Sequence, residues 1–337
     1  MPGSFVLSGA VVKDDPLPQC QENLQIIIVE SEPVQLFAEV QGFLLAGARE
    51  LGFKAKRLAP GAALEPNGTG ISPCDCEGTV CVMTAPCTRK SAIPISPIWV
   101  NLEVLNTTGV GDPWPRHCLE AGGGYSEAVW SSGPAFDYLH SNIQLLSQRG
   151  LANPLYLPLR YFDGIVSSPG TSKFPDSAAP VLDEGFVDVL FVGGTRGSSR
   201  RNSVLEALSA RGLKMLVLTE TFGLARELAV RRAKVVLNVH YYPMNFETVR
   251  LFWLLSLGAF VITEADESIN AEVMREYNGS VVFSRYEGLV DTVVRYIPLQ
   301  AERTRIAKAG FDFIRATSPG KVLRPLFDSA FPHCSVV

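Results

Sequence analysis

The chain has 337 residues, 47% of them hydrophobic and 19% charged, with a formal net charge of −4 at neutral pH. This length exceeds the size at which one hydrophobic core usually stops growing, so two domains are expected. The slight acidic excess argues against nucleic acid as the main ligand, because polyanion-binding domains usually carry a strong basic excess.

Targeting signals are weak throughout the sequence. The longest apolar run, residues 251–262, is interrupted by Ser256 and Gly258 and is too short to be a transmembrane segment. The N-terminus lacks the basic start of a secretory signal and reaches the charged residues Lys13 and Asp14 early. A cytoplasmic chain without a disulfide framework is therefore expected.

Four of the seven cysteines cluster at Cys74, Cys76, Cys81 and Cys87. Their spacing matches no zinc ribbon or finger, and the residues around Cys81 form a predicted buried strand, so no metal site is expected there. The last four residues, beginning at Cys334, have the form of a prenylation box, although a final valine is unusual and no polybasic stretch precedes it. An ordinary tail is favoured, and modification of Cys334 stays open.

The first half predicts an α/β domain over residues 1–165. Residues 24–30 form a continuous apolar strand, an amphipathic helix follows and ends at Gly52, and FKAKRL is the next strand. The patterns TVCVMT, PIWVNLE and PLYLPL predict further buried strands, and residues 134–149 predict a helix. Residues 166–185, rich in Pro, Ser, Gly and Asp, are expected to be a linker.

The second half, residues 186–318, alternates short β-rich runs with helical patterns. The predicted strands and helices are strand 187–192, helix 199–211, strand 213–219, helix 222–232, strand 234–239, helix 245–257, and strands 259–263 and 280–284. Such alternation indicates βαβ units and a parallel sheet. The expected fold class is α/β, with two Rossmann-like domains facing a cleft at the carboxyl ends of their sheets. Residues 319–337 are expected to be a tail.

Two polar loops follow strands of the second half. In FVGGTRGSSRR, Gly193 and Gly194 come directly after a strand, and Arg196 and Arg201 flank a helix start. Glycines let the backbone approach a diphosphate, the helix start supplies N–H groups, and arginine neutralises the charge. The loop fits neither G-x-G-x-x-G nor a Walker loop. A plain glycine turn with solvated arginines is the structural alternative.

The second loop is NVHYYPMNFETVR, residues 238–250. Glu247 stands in the first turn of the predicted helix, where a carboxylate caps the helix or binds sugar hydroxyls. Arg250 follows three residues later on the same helical side, so a carboxylate and a guanidinium for phosphate are expected close together.

The succession LYLPLRYFDG, DVLFVGGTRGSSRRNSVLEALSARG and AKVVLNVHYYPMNFETVRLFWLLSLGAFVITE resembles bacterial and viral glycosyltransferases of the two-Rossmann-domain (GT-B) architecture, families 1 and 4. PIWVNLE and FDYLHSNIQLLSQRG add a looser similarity in the first half. The resemblance implies transfer of a hexosyl-type sugar from a nucleotide-sugar donor held by the second domain. A UDP-sugar is the first expectation and a GDP-sugar the next.

Carried over residue by residue, the resemblance places Gly193, Gly194 and Arg201 at the diphosphate and Glu247 at the ribose hydroxyls. The remaining donor-binding residues that it implies are Arg196, His240, Tyr241, Asn245, Phe246 and Arg250. The paired glutamates spaced eight apart in many retaining members are absent, so retention or inversion stays open. No Asp-x-Asp follows a strand, so no metal cofactor is expected and the arginines would carry the diphosphate charge.

An inverting transfer also needs a base on the acceptor hydroxyl. Candidates after strand ends of the first domain are Glu30, Glu32, Glu103, His117, Asp137 and His140. Each of these is individually more often a surface or capping group. Glu103 is favoured because WVNLE places it where a loop facing the cleft begins, and the predicted catalytic set is Glu103, Arg201 and Glu247.

Two other classes of protein remain compatible with this sequence. One is a GT-B-shaped protein that binds or regulates without catalysis, and the other is a nucleotide-dependent epimerase or phosphorylase. The acceptor is open among a glycan, a lipid, a protein and a modified nucleobase, because the first domain contains no motif that selects among them.

Overall fold

The protein contains two β-sheets packed with helices. The computed structural model describes residues 25–29, 34–59, 79–84, 97–101, 133–150, 153–166, 187–241, 246 and 248–330. Every strand pair in both sheets is parallel. The predicted α/β class is confirmed.

The first half forms a six-stranded sheet in the order β2-β1-β3-β4-β5-β6. Its strands are β1 Gln25–Val29, β2 Lys54–Leu58, β3 Thr79–Thr84, β4 Pro97–Asn101, β5 Ala135–Asp137 and β6 Leu155–Tyr156. Its helices are α1 Val34–Glu50 and α2 His140–Gln148. Ile26, Ile27 and Ile28 in β1 are all fully buried. A continuous apolar strand is what a parallel sheet buried on both faces requires.

The second half forms a five-stranded sheet in the order β11-β10-β9-β7-β8. Its strands are β7 Val187–Val192, β8 Met215–Leu218, β9 Ala233–Asn238, β10 Val261–Glu264 and β11 Val282–Ser284. Its helices are α3 Ser199–Ala210, α4 Gly223–Arg232, α5 Thr248–Ser256, α6 Glu267–Glu276, α7 Leu289–Tyr296 and α8 Gln300–Arg315. The alternation predicted for this half is confirmed, with shifted ends.

The strand order of the second sheet reverses between β7 and β9, because the chain runs outward from β7 to β8 and then returns to the other side of β7. The two strands pair in parallel, with Phe191 opposite Leu237. In open parallel sheets, ligands bind outside the carboxyl ends of the strands at such a reversal. The loops that follow β7 and β9 therefore emerge side by side at the expected position of a ligand site.

The helix predicted over residues 134–149 is wrong at its start. Ala135–Asp137 forms the short strand β5, which pairs with β4 and β6, and α2 begins only at His140. Asp137 is fully buried, and its Oδ1 accepts hydrogen bonds from the Leu139 amide at 2.8 Å and from Asn142 Nδ2 at 3.3 Å. These bonds satisfy polar groups at the strand-to-helix turn, and so favour a strand followed by a helix over one continuous helix.

Residues 319–330, predicted to belong to a tail, form helix α9 (Pro319–Ala330). This helix packs on α1: Glu50 Oε2 accepts a hydrogen bond from the Gly320 amide at 2.8 Å. Leu323 is fully buried, and Leu326 and Phe327 are nearly so. The buried apolar stripe explains why this segment is a packed helix. Residues 331–337, with Cys334, lie outside the described part.

Polar contacts also join the two halves directly. Glu276 of α6 accepts hydrogen bonds from Tyr156 Oη and Arg160 Nη2, both at 2.8 Å. Thr248 Oγ1 donates to the Tyr138 carbonyl at 3.3 Å. The start of α5 therefore lies against the carboxyl end of β5 in the first sheet.

Cys81 lies fully buried in β3, as predicted, and it is disulfide-bonded. This bond departs from the expectation of a chain without a disulfide framework. Within the described ranges, no helix is long and apolar enough to cross a membrane.

Candidate functional site

The loop after β7 is shaped by glycines. Gly193 has a φ of 144°, and a Cβ atom there would lie 3.3 Å from Arg250 Nη2. A side chain at this position would therefore be strained and would crowd the guanidinium. At Gly194, a Cβ atom would meet no described atom within 4 Å. The loop backbone is thus tightly packed at Gly193 and open to an approaching group at Gly194.

Helix α3 begins directly after this loop. Ser198 is its N-cap, and Ser198 Oγ accepts a hydrogen bond from the Arg201 amide at 3.4 Å. The first amides of a helix and its dipole favour a negative charge in front of the helix. The glycine loop and the helix start together form an arrangement suited to binding an anion.

Arg201 is almost fully buried, with 3% of its surface exposed. Its Nε donates to the Val239 carbonyl at 2.9 Å, and its Nη1 donates to the Gly194 carbonyl at 2.8 Å. Gly194 follows β7 and Val239 follows β9, so one guanidinium joins the two loops.

Arg250 lies in the first turn of α5 and reaches under the same loop. Its Nη1 donates to Asn238 Oδ1 at 2.8 Å, and Asn238 Nδ2 donates to Thr263 Oγ1 at 3.0 Å. Asn238 and Thr263 are fully buried at the carboxyl ends of β9 and β10. The hydrogen bond to Asn238 holds the Arg250 guanidinium in place beside Gly193.

Glu264, at the end of β10, is a site residue that the sequence analysis missed. Its carboxylate is paired with Arg200 and accepts a hydrogen bond from the His240 amide at 3.2 Å. The Arg200 guanidinium also lies 4.1 Å from the centroid of the Tyr286 ring. The sequence signal was a carboxylate at the end of the apolar strand VITE. Glu264 ties the start of α3 to the loop after β9.

Phe246 was predicted to line the donor pocket and His240 to border the sugar or base, and each is only 2% exposed. His240 Nε2 lies 2.7 Å from the Glu264 carbonyl oxygen. A carbonyl only accepts, so Nε2 carries the hydrogen. The His240 and Phe246 rings are 5.3 Å apart, and Phe246 also packs near Phe283 at 6.0 Å. Both side chains pack beneath the loop, and their predicted roles at the donor stay predictions.

Sequence comparisons give no match: no protein-family model and no curated protein sequence matches the chain. Structural comparison finds proteins of similar fold. A glycosyltransferase from Rickettsia africae ESF-5 has a TM-score of 0.57 at 9% identity over 92% of this chain and 98% of that one. Sucrose-phosphate synthase from Thermosynechococcus elongatus has a TM-score of 0.55 at 9% identity over 92% of this chain and 100% of that one.

TarM gives a similar result over part of its length. A TarM variant from S. aureus in complex with fondaparinux, α-GlcNAc-glycerol and UDP has a TM-score of 0.50 at 9% identity. The match covers 75% of this chain and 55% of TarM. The chain has the GT-B fold. The expected architecture of two Rossmann-like domains is thereby confirmed.

In this GT-B chain, the structure brings five of the predicted donor-binding residues together at the ends of β7 and β9: Gly193, Gly194, Arg201, Tyr241 and Arg250. Arg196 lies on the same loop with an exposed side chain, and its carbonyl accepts a hydrogen bond from Tyr241 Oη at 3.1 Å. Glu103, Asn245 and Glu247 lie outside the described residues, so their predicted roles stay predictions.

Some candidates for the base on the acceptor hydroxyl lie outside the described residues and others lie within them. Glu30, Glu32 and His117 also lie outside the described residues. Asp137 accepts hydrogen bonds within the turn before α2. This is the capping role that was the alternative to a catalytic base. His140 stacks on Tyr156 at 4.0 Å between ring centroids, and its Nδ1 lies 3.3 Å from Glu272 Oε2. His140 therefore lies at the contact between the two halves.

In the described part of the chain, no group of three or more His, Cys, Asp or Glu side chains is placed to hold a metal ion. Three members of the cysteine cluster, Cys74, Cys76 and Cys87, are outside that part. The expectation that the cluster holds no metal stays a prediction.

Proposed function

We propose that this protein is a glycosyltransferase that takes a sugar from a nucleotide diphosphate-sugar donor. The donor diphosphate would bind at the carboxyl ends of β7 and β9, in front of α3. The GT-B fold supports sugar transfer as the reaction class. The acceptor is one of the groups left open above.

One observation carries this proposal: a fixed arginine lies beside an open glycine backbone at a helix start. Arg250 Nη2 lies 3.3 Å from the position of a Cβ atom at Gly193, while the space next to Gly194 is open among the described atoms. A diphosphate there would meet backbone N–H groups, the helix dipole and a guanidinium fork. These groups also stabilise the charge that grows on the diphosphate as it departs.

A UDP-sugar is the donor that we propose first, with a GDP-sugar next. The supporting observation is that the TarM structure of similar fold contains UDP. Glu247 would accept hydrogen bonds from the ribose hydroxyls, and Glu103 would act as the base of an inverting transfer, as the resemblance and the strand-end position suggest.

We also propose that the reaction proceeds without a divalent metal. The sequence has no Asp-x-Asp after a strand, which is a common way to bridge a diphosphate through a metal ion. Arginines and a helix start would supply the positive potential instead.

The test is a panel of UDP-, GDP-, ADP- and dTDP-sugars, incubated with the full chain and assayed for nucleotide release with and without a chelator. We expect release from a UDP-sugar in both conditions. Binding without release from any donor would favour a non-catalytic GT-B protein. Activity lost in chelator and restored by manganese would contradict the metal-independent mechanism.

A further inference from the structure

We propose that Arg201 is a positioning residue, which holds the two donor loops in register and does not itself contact the diphosphate. This inference rests on the proposed function, because the loops matter only if they bind the donor. It differs from the role that the family resemblance implies for Arg201, which is direct contact with the diphosphate.

The geometry of the guanidinium carries the proposal. Two N–H groups of Arg201 point at two carbonyls, Gly194 on the loop after β7 and Val239 on the loop after β9, at 2.8 and 2.9 Å. A guanidinium donates in fixed directions within one plane. With 97% of its surface covered, Arg201 lies beneath the loops that it joins and not above them.

Two aromatic rings lie close to this guanidinium. Arg201 Cζ lies 5.4 Å from the centroid of the Phe191 ring and 5.1 Å from that of Tyr241. Tyr241 adds a third link between the loops, since its Oη donates to the Arg196 carbonyl at 3.1 Å. Gly197 makes room for this link: a Cβ atom there would lie 3.1 Å from Tyr241 Oη. Arg201 and Tyr241 thus form one clamp, which we name the loop clamp.

The chemical consequence of the loop clamp is preorganisation. Its bonds hold the Gly194 and Arg196 carbonyls, and so fix the direction of the Thr195 and Gly197 amides in the same peptide units. An ordered loop does not have to lose conformational freedom when a diphosphate binds, and that loss would otherwise weaken binding. Arg250 is different, because its guanidinium lies beside Gly193 and is bonded to the Asn238 side chain.

The loop clamp predicts how conservative substitutions behave. Lysine keeps the positive charge but has one compact ammonium, which cannot reproduce a planar pair of bonds to two carbonyls. If Arg201 acts by position, R201K should weaken binding of UDP as much as R201M does, by roughly tenfold or more. At Arg250, where we assign charge contact, R250K should lose less affinity than R250M.

The experiment measures UDP affinity by isothermal titration for R201K, R201M, R250K and R250M, at a temperature at which all four are folded by circular dichroism. A purely structural role for Arg201 would lower the unfolding temperature but leave the UDP affinity of the folded protein unchanged. An R201K variant that binds UDP as the wild type does would overturn the proposal.

Hydrogen exchange by mass spectrometry supplies the second measurement, without ligand. R201K should speed exchange in residues 194–198 and 239–241, and R250K should not. Y241F, which removes one hydroxyl and keeps the ring, should speed exchange around Arg196 even if R201K fails to fold. Unchanged exchange in both R201K and Y241F would refute the loop clamp. If the wild type binds neither UDP nor GDP, the proposed donor class fails, and the exchange data alone still decide between a clamp and no clamp.

Discussion

Gly193 and Gly194 are adjacent residues with opposite surroundings. Gly193 has a φ of 144° and a guanidinium 3.3 Å from its Cβ position, whereas the space at Gly194 is open among the described atoms. Gly193→Ala should lower the free energy of unfolding by about 1–3 kcal/mol, because the backbone conformation is strained for alanine. Gly194→Ala should leave it unchanged but weaken UDP binding, because the methyl group would occupy the proposed diphosphate position. Urea denaturation and UDP titration of both variants check this pair. Full UDP affinity in Gly194→Ala would place the diphosphate elsewhere.

The sequence predicted where single residues lie when a local rule applies, while their donor-binding roles stay predictions. Glycines after a strand and an arginine in the first helical turn identified Gly193, Gly194 and Arg250, because their positions follow from strand and helix ends alone. Glu264 was missed because its role depends on β10 lying beside β9, which brings it to Arg200 and the His240 amide. Such a contact is a property of sheet order, and a local pattern does not encode it.

At the scale of elements, the amino end of the β7–β9 pair contains an ion pair between strands. Asp188 Oδ1 lies 2.7 Å from Lys234 Nζ, and Asp188 Oδ2 accepts from the Lys214 amide at 2.9 Å. Partial burial raises the pKa of Asp188, but the Lys234 hydrogen bond and the Lys214 amide outweigh it, so the pKa lies below its usual range. A carboxyl with a lowered folded-state pKa stabilises the fold above its unfolded pKa, and this contribution disappears as the pH falls through the folded pKa.

Asp188→Asn should therefore destabilise the protein by about 0.5–1.5 kcal/mol at neutral pH, because solvent partly screens this ion pair. The difference from the wild type should shrink as the pH falls into the acid range, where the wild-type carboxyl is protonated. Urea unfolding at several pH values measures it. A difference that is constant with pH would contradict the assigned role of the ion pair.

Two elements were predicted wrongly from the sequence, each for its own reason. β5 has only three residues, so its strand pattern is too short to separate from the helical pattern that follows, and its end is marked only by the Asp137 turn. In α9, the apolar stripe including Leu323 and Phe327 was readable as a helix, but its partner α1 lies far away in sequence. The longer apolar runs of β1, β7 and β9 were predictable because burial on both faces demands a continuous apolar stretch.

At the scale of the whole molecule, α6 carries two glutamates one turn apart that face the first half. Glu276 binds Tyr156 and Arg160, and the side chains of the Arg160–Glu276 pair are only 12% and 19% exposed. Burial raises the pKa of Tyr156, so its hydroxyl stays protonated and donates to Glu276. Glu272 instead pairs with His140, with 61% and 33% of the two side chains exposed.

Glu276→Ala should lower the free energy of unfolding by about 1–3 kcal/mol, since it leaves a largely buried arginine and a tyrosine hydroxyl without their acceptor. Glu272→Ala is the matched control on the same helix, and its effect should be within about 1 kcal/mol of zero, because an exposed pair contributes little. Chemical denaturation of both variants makes the comparison. Equal losses in the two variants would show that Glu276 does not hold the halves together.

The proposed activity requires that a nucleoside diphosphate binds beside Arg250 in front of α3. Isothermal titration of UDP into the wild type and into Arg250→Met tests this most directly, with Arg305→Met as a control at an exposed arginine of α8. We predict saturable binding to the wild type and to the control, and a loss of roughly tenfold to a hundredfold in Arg250→Met, as expected for a charge-assisted hydrogen bond. Equal UDP affinity in Arg250→Met and the wild type would contradict the central claim.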